Sequence, residues 1–197
     1  MARLLRLRSV EVPPCITGPA SESGSYVCFF DRGSRGNLGP GGAGSVIVKV
    51  DGATRAAHII WFAATAYGRR DTTNNAADYW GLVHGLRQAV SHSWTPLHIV
   101  GDNTFILSQV RSRKKPKAYH LVKLHQQATR LAAEACVVSW KHHLRAYNKM
   151  ADAAANLAMD DAASTHSMAA DGRAELSLLV PYLESDIGHS FSRLDGG

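Results

Sequence analysis

The sequence predicts an α/β fold: a mixed five-stranded sheet, three antiparallel strands and then two parallel additions, flanked by helices. Three observations carry this. Three short β-branched and aromatic-rich runs follow one another, separated by turn residues, which reads as a meander. The apolar spacing then changes from that of strands to that of helices at Tyr79, Leu82, Val83, Leu86 and Val90. Beyond this point helical and strand-like segments alternate, as an α/β layout requires.

The first strand is the apolar run Tyr26 to Phe30, closed by Asp31. Residues 33–42 contain five glycines in ten positions, a tight loop. No Gly-Lys-Ser/Thr follows it, so it is not the phosphate loop of an ATPase. Ser45–Val50 and Ala57–Ala63 form the next two strands, joined by a hairpin turn over Asp51–Arg55. The helix over residues 75–91 has Asn74 or Asn75 as its expected N-cap. Pro96–Asp102 is the fourth strand, followed by a short helix from Phe105 to Val110. Leu121, Leu124, Ala128, Leu131 and Ala135 mark another helix, Val137–His142 the fifth strand, and Lys149 to about Ala163 the last helix. Residues 1–23 are expected as a leader and linker, 24–163 as the folded domain, and 164–197 as an acidic C-terminal tail.

Composition narrows the classes. With 45% hydrophobic and 19% charged residues, the 197-residue chain reads as an ordinary globular protein with one principal domain. No apolar run reaches the roughly 18 residues of a membrane span. The three leading arginines make a poor secretory signal. Three widely spaced cysteines support neither a disulfide framework nor a zinc site, which points to a reducing, intracellular setting, nucleus or cytoplasm. The net charge of +6 is unevenly spread: residues 111–117 hold five positive charges and no negative one. Such a stretch suits a polyanion, or is a solvated loop.

Four carboxylates fall where they can meet. Asp31 and Asp102 end strands that are parallel neighbours if the sheet is wound as expected, and open α/β sheets place their sites at such carboxyl ends. Asp78 and Asp152 lie near helix starts. Converging carboxylates repel one another and are tolerated mainly around divalent cations. The alternative for each is an ordinary solvent-facing or helix-dipole acid.

Four blocks now resemble a known family: residues 30–44 around Asp31 and the glycine loop, Thr73-Asn-Asn-Ala-Ala-Asp78-Tyr, Val100-Gly-Asp102-Asn, and residues 142–152 from His142 to Asp152. Together they resemble type 1 ribonuclease H, particularly the form found in retroelement polyproteins, over about residues 25–160. The resemblance implies the ribonuclease H-like fold and cleavage of the RNA strand of an RNA–DNA hybrid by two Mg²⁺ ions, about 3.5–4 Å apart, with Mn²⁺ as a substitute. It implies that Asp31 bridges the ions, that Asp78 and Asp102 complete their shells, and that Asp152 serves the ion of the attacking water. His142 matches a loop histidine that helps product leave in some relatives; His143 is an equal contender. Asn37 and Thr73 match positions that hold a DNA phosphate, and Asn74 and Asn75 match groups in the minor groove. Arg113, Lys114 and Lys115 would lie by the DNA backbone, in a basic run short enough to suggest help from a tethered partner such as a reverse transcriptase.

The chain departs from the family pattern inside these blocks. Asp78 replaces a usual glutamate, retracting the carboxylate by about 1.5 Å against metal–oxygen distances of about 2.0–2.1 Å. Arg32 stands where glycine is usual, Leu38 where proline is, and Asn103 where serine is. Two classes of function follow: an active, metal-dependent ribonuclease H of reduced activity, or a catalytically impaired module that binds hybrid, double-stranded RNA or a protein through the same surface.

Overall fold

The computed structural model describes residues 24–34, 41–67 and 73–191. Its sheet starts with the expected meander. β1 (Ser25–Ser34) pairs antiparallel with β2 (Gly41–Val50), and β2 with β3 (Ala57–Tyr67). Asp51 shapes the β2–β3 turn, where its Oδ1 accepts from the backbone N–H groups of Ala53 and Thr54 and from the Thr54 hydroxyl. β4 (Leu97–Gly101) then runs parallel to β1, and β5 (Val137–His142) parallel to β4.

Alternation along the strands sorts the core into two layers. Cys28, Phe30, Ile47 and Trp61 face α1 (Asn74–Ser91), α2 (Thr104–Arg111) and α3 (Tyr119–Glu134). Val27, Phe29, Val46 and Phe62 face α4 (Lys149–Asp161) and α5 (Leu176–Phe191). Phe29 and Phe30, adjacent in sequence, are both fully buried on opposite faces. Each such burial contributes about 1.5–3 kcal/mol, so β1 is anchored from both sides. Gly44 allows one close approach: a Cβ there would collide with the Ala151 carbonyl, so only glycine lets α4 lie this near β2.

Four expectations are corrected. The described sheet has six strands, not five, in the order β5-β4-β1-β2-β3-β6. The sixth, β6 (Thr165–Met168), pairs antiparallel with residues 61–64 of β3. Four residues, two of them hydroxylated, give too little alternation to announce a strand. Residues after 163, expected as an acidic tail, thus extend the sheet and then build α5, which buries Leu179 and Ile187 in the second core layer. Pro181 lies inside α5 and reads in sequence as a breaker. The N-cap of α1 is Thr73, whose hydroxyl accepts from the Ala76 N–H at 3.3 Å, and not Asn74 or Asn75. β1 also runs on to Ser34, so Asp31 sits within the strand and not at its end.

Candidate active site

The parallel pairing of β1 with β4 ends at Phe30 opposite Gly101. The next residues, Asp31 and Asp102, therefore leave the shared carboxyl edge side by side. α1, lying across the same end of β1, brings in Asp78 from above. Gly81 lets this helix sit close, since a Cβ there would lie 2.9 Å from the Gly44 carbonyl oxygen. The three acids each offer a carboxylate oxygen, and these oxygens lie within 4.8 Å of one another.

Burial makes the cluster electrostatically costly. Asp31 is 1% exposed and Asp78 fully buried. Burial, and after it the Asp102 carboxylate, pushes Asp31 up to about 8. Burial pushes Asp78 up to about 7, while Asn103 and Arg32 pull the other way. Asp31 Oδ1 accepts from the Arg32 N–H at 2.7 Å, but Asp31 Oδ2 and Asp78 Oδ1 are buried with no hydrogen-bond partner among the described residues. Buried acceptors are seldom left so. Hard carboxylate oxygens, crowded and partly unsatisfied, fit a hard divalent cation such as Mg²⁺.

Two residues that depart from the family pattern, Arg32 and Asn103, both contact a third, Asp78. Asp78 Oδ2 accepts from the Asn103 side-chain amide at 2.7 Å and is paired with Arg32 Nε at 3.3 Å. Asn103 also donates to Asn75 Oδ1 at 3.3 Å, and its own Oδ1 accepts from the N–H groups of Phe105 and Ile106, capping α2. A serine could cap the helix but has a single hydrogen to give; the amide has two. Asn103 is visible in sequence as an N-cap signature before a helix, whereas its bond to Asp78 is not.

Asp152 is placed differently. It occupies the first turn of α4 as expected, but lies outside the three-acid group. Its carboxylate accepts from Arg145 at 2.9 Å and from Lys149 at 3.4 Å. The start of α4 is held from two sides. Asn148, the residue before it, spends its amide on the Phe30 carbonyl at 2.9 Å and makes no side-chain cap. The cap comes from α5, where buried Asp186 accepts from the Met150 N–H at 2.8 Å. Neither Asn148 nor Asp186 was singled out from sequence, because their partners lie 118 and 36 residues away.

The two histidines separate clearly. His142 is exposed, with Nε2 against the backbone carbonyl of Asp102 at 3.2 Å, at the rim of the cluster. His143 is buried between the Tyr147 carbonyl and the Ser190 hydroxyl, and burial lowers its ring to about 4. Thr73 and Asn74 are exposed at the mouth of α1, and Asn75 is half-buried beside Asn103. Asn37 lies outside the described residues. Arg113, Lys114 and Lys115 are exposed in the loop after α2. A cleft of about 440 Å³ is lined by Thr104, Ser108, Arg111, Trp140 and His142 among others, so it lies between α2 and the end of β5.

Residues 30–158 match the family model described as reverse transcriptase-like. The chain is 39% identical over 141 residues to the bifunctional protein Rv2228c of Mycobacterium tuberculosis, covering 72% of this chain but only 37% of that protein. The solved N-terminal ribonuclease H domain of the same protein superposes with a TM-score of 0.62 at 37% identity, covering 71% of this chain and 96% of that one. Ribonuclease H1 of Halobacterium salinarum superposes with a TM-score of 0.58 at 31% identity, covering 70% and 99%. The chain belongs to the type 1 ribonuclease H family, within the reverse transcriptase-like group.

Proposed function

We propose that this chain is an endoribonuclease that hydrolyses the RNA strand of RNA–DNA hybrids. The observation that carries the reading is the buried group Asp31, Asp78 and Asp102 with two unsatisfied oxygens, in a chain whose relatives are named ribonuclease H. Two Mg²⁺ ions bound there, or Mn²⁺ in their place, would generate the attacking hydroxide and offset charge on the scissile phosphate.

The chain's own residues have the following roles. Asp31, with Asp102 and Asp78 both within reach of its carboxylate, would serve both ions. Asp152 joins when Arg145 and Lys149 release it, since the cluster's added positive charge competes for its carboxylate. His142, exposed at the rim with Nε2 against the Asp102 carbonyl, helps the product leave. Thr73 contributes to holding a DNA phosphate, while Asn74 and Asn75 line the minor-groove approach, with amides able to both give and accept hydrogen bonds at a ribose 2′-hydroxyl. Asn37 and the exposed Arg113, Lys114 and Lys115 hold the DNA backbone, a contact that weakens with salt.

The first curated relatives are longer than this chain, and one is called bifunctional. This supports action as a tethered module, beside a reverse transcriptase or another enzyme. No helix among the described residues is long and apolar enough to cross a membrane, and hybrids form in nucleus or cytoplasm, where we place the activity. Residues 24–163 form the catalytic unit, and β6 and α5 complete it.

End-labelled hybrid incubated with Mg²⁺ or Mn²⁺, beside single- and double-stranded RNA, tests the reading. Hybrid-selective cutting that D31N abolishes is expected. Hybrid bound but uncut in both metals would make the chain a binding module.

A further inference from the structure

Arg32 touches two of the three clustered acids at once. Its backbone N–H donates to Asp31 Oδ1 at 2.7 Å, and its guanidinium sits 3.3 Å from Asp78 Oδ2. Among the described residues, no other cationic side chain lies within ion-pair distance of the three-acid group; Arg145 acts on it only through its charge from farther off, and the ion pairs of Arg145 and Lys149 are with Asp152. The shorter side chain of Asp78 and the second amide hydrogen of Asn103 complete the arrangement, because both converge on the oxygen that the guanidinium approaches. The cluster thus already has one positive charge in direct contact with it.

We propose that Arg32 is a resident counter-ion of the carboxylate cluster, which a divalent cation must displace from Asp78 before the site is loaded. This rests on the metal-site reading above and names the group that regulates loading. The physical case is exclusion. A divalent ion drawing on Asp78 lies within a few ångströms of the guanidinium, and two cations that close in a buried setting repel strongly. The guanidinium can leave, because its side chain is 34% exposed while that of Asp78 is fully buried. Metal binding is therefore an exchange, weaker than three buried carboxylates alone would give. Asn103 stays as a neutral donor that keeps Asp78 aimed inward during the exchange.

Calorimetric titration of the full chain with Mg²⁺ alone, without nucleic acid, tests this in the wild type and in R32A, R32Q and R32K, with D31N marking the loss of cluster binding. R32A and R32Q are expected to bind Mg²⁺ at least five-fold more tightly, and R32K to stay near the wild type because the charge remains. Should R32A fail to fold, R32Q decides, since it keeps a hydrogen-bond donor beside Asp78 without the charge. Binding in R32Q that is measurable where the wild type shows none supports exchange equally. Unchanged or weaker affinity in the neutral variants, or no binding in any, overturns it. Hybrid cleavage is assayed in parallel: a wild type that does not cut, with tighter binding in R32Q, refutes the nuclease reading and leaves the exchange standing.

Discussion

Asp186 lies on α5, far in sequence from every family block, yet it caps the helix that carries Asp152. Replacing it with alanine removes the acceptor from the Met150 N–H and the negative charge from the positive end of α4. A hydrogen bond to a charged group contributes about 1.5–3 kcal/mol, and a helix cap typically about 1 kcal/mol. Against this, burial raises the Asp186 carboxyl above its ordinary range, so its removal also relieves a desolvation cost. The net expected loss is about 1–2 kcal/mol, and a chain of this size shifts by about 2–4 °C per kcal/mol, which gives a fall in Tm of about 2–8 °C. The functional loss is larger than the loss of stability, because Asp152 sits in the first turn of the freed helix. Misplacement by about 1 Å costs about 100-fold in rate where geometry is critical. The loop before α4 is braced by the same helix, with His189 stacked on Tyr147 at 4.1 Å and Ser190 against His143, so slackening spreads toward His142. The assay is steady-state cleavage of hybrid by D186A, D186N and D186A in a D152N background. We expect kcat to fall with KM unchanged, D186N to recover part of the loss through its remaining acceptor oxygen, and no further loss in the double variant. A lowered Tm with unaltered kcat would refute the reasoning and leave α5 a stabilising element only.

Other outcomes follow from the cluster and its packing. Asp31 is raised to about 8 from an ordinary 3.8, so its protonated form is the one favoured in the metal-free fold. Its contribution to stability is fully present below the unfolded value and is lost as pH rises through about 8. Thermal scans should show a stability slope over that window which D31N removes, and a Mg²⁺-induced gain in Tm that grows with pH as the ionised ligand is supplied. N103A should lower stability by about 1 kcal/mol for the lost α2 cap, seen in urea unfolding, and should also weaken activity. N103S should restore the cap without restoring the rate, because the bonds to Asp78 and Asn75 need two hydrogens. If N103S is fully active, the amide bond to Asp78 has no catalytic weight. G44A should destabilise by about 1–3 kcal/mol in the same urea assay, since its Cβ would overlap the Ala151 carbonyl.

How much of this could be read in sequence depended on range. The strands β1 to β5 and helices α1 to α4 declared themselves because each carries its own periodicity over five or more residues. β6 and α5 did not. β6 gains its place from pairing with β3, a contact that no local pattern encodes, and α5 hides its apolar face behind Pro181. Sequence brings Asp31 and Asp102 together because each follows the last parallel pair of β1 and β4, Phe30 opposite Gly101, even though β1 itself runs on to Ser34. Sequence places Asp152 in the first turn of α4, where it lies, yet its ion pairs with Arg145 and Lys149 depend on side-chain conformations that spacing does not fix.

The departures from the family pattern show the same limit in a sharper form. In sequence, Arg32, Asp78 and Asn103 are three separate changes, each weakening a motif. In space they form one bonded set around a single carboxylate oxygen. A retracted carboxylate with a glycine neighbour and a serine opposite would be a buried charge with too few partners. With arginine and asparagine instead, the same carboxylate has a cation at 3.3 Å and an amide at 2.7 Å. Lengthening the acid alone therefore cannot repair the site, since D78E would drive its carboxylate into groups positioned for the shorter one. The changes are coupled, and such coupling breaks additivity between neighbouring mutations. We expect D78E to leave the hybrid-cleavage rate unchanged or lower, and R32G/D78E to exceed the product of its two single variants. Multiplicative rates would mean that the arginine and the short acid act independently, and that the contact between them is incidental to the chemistry.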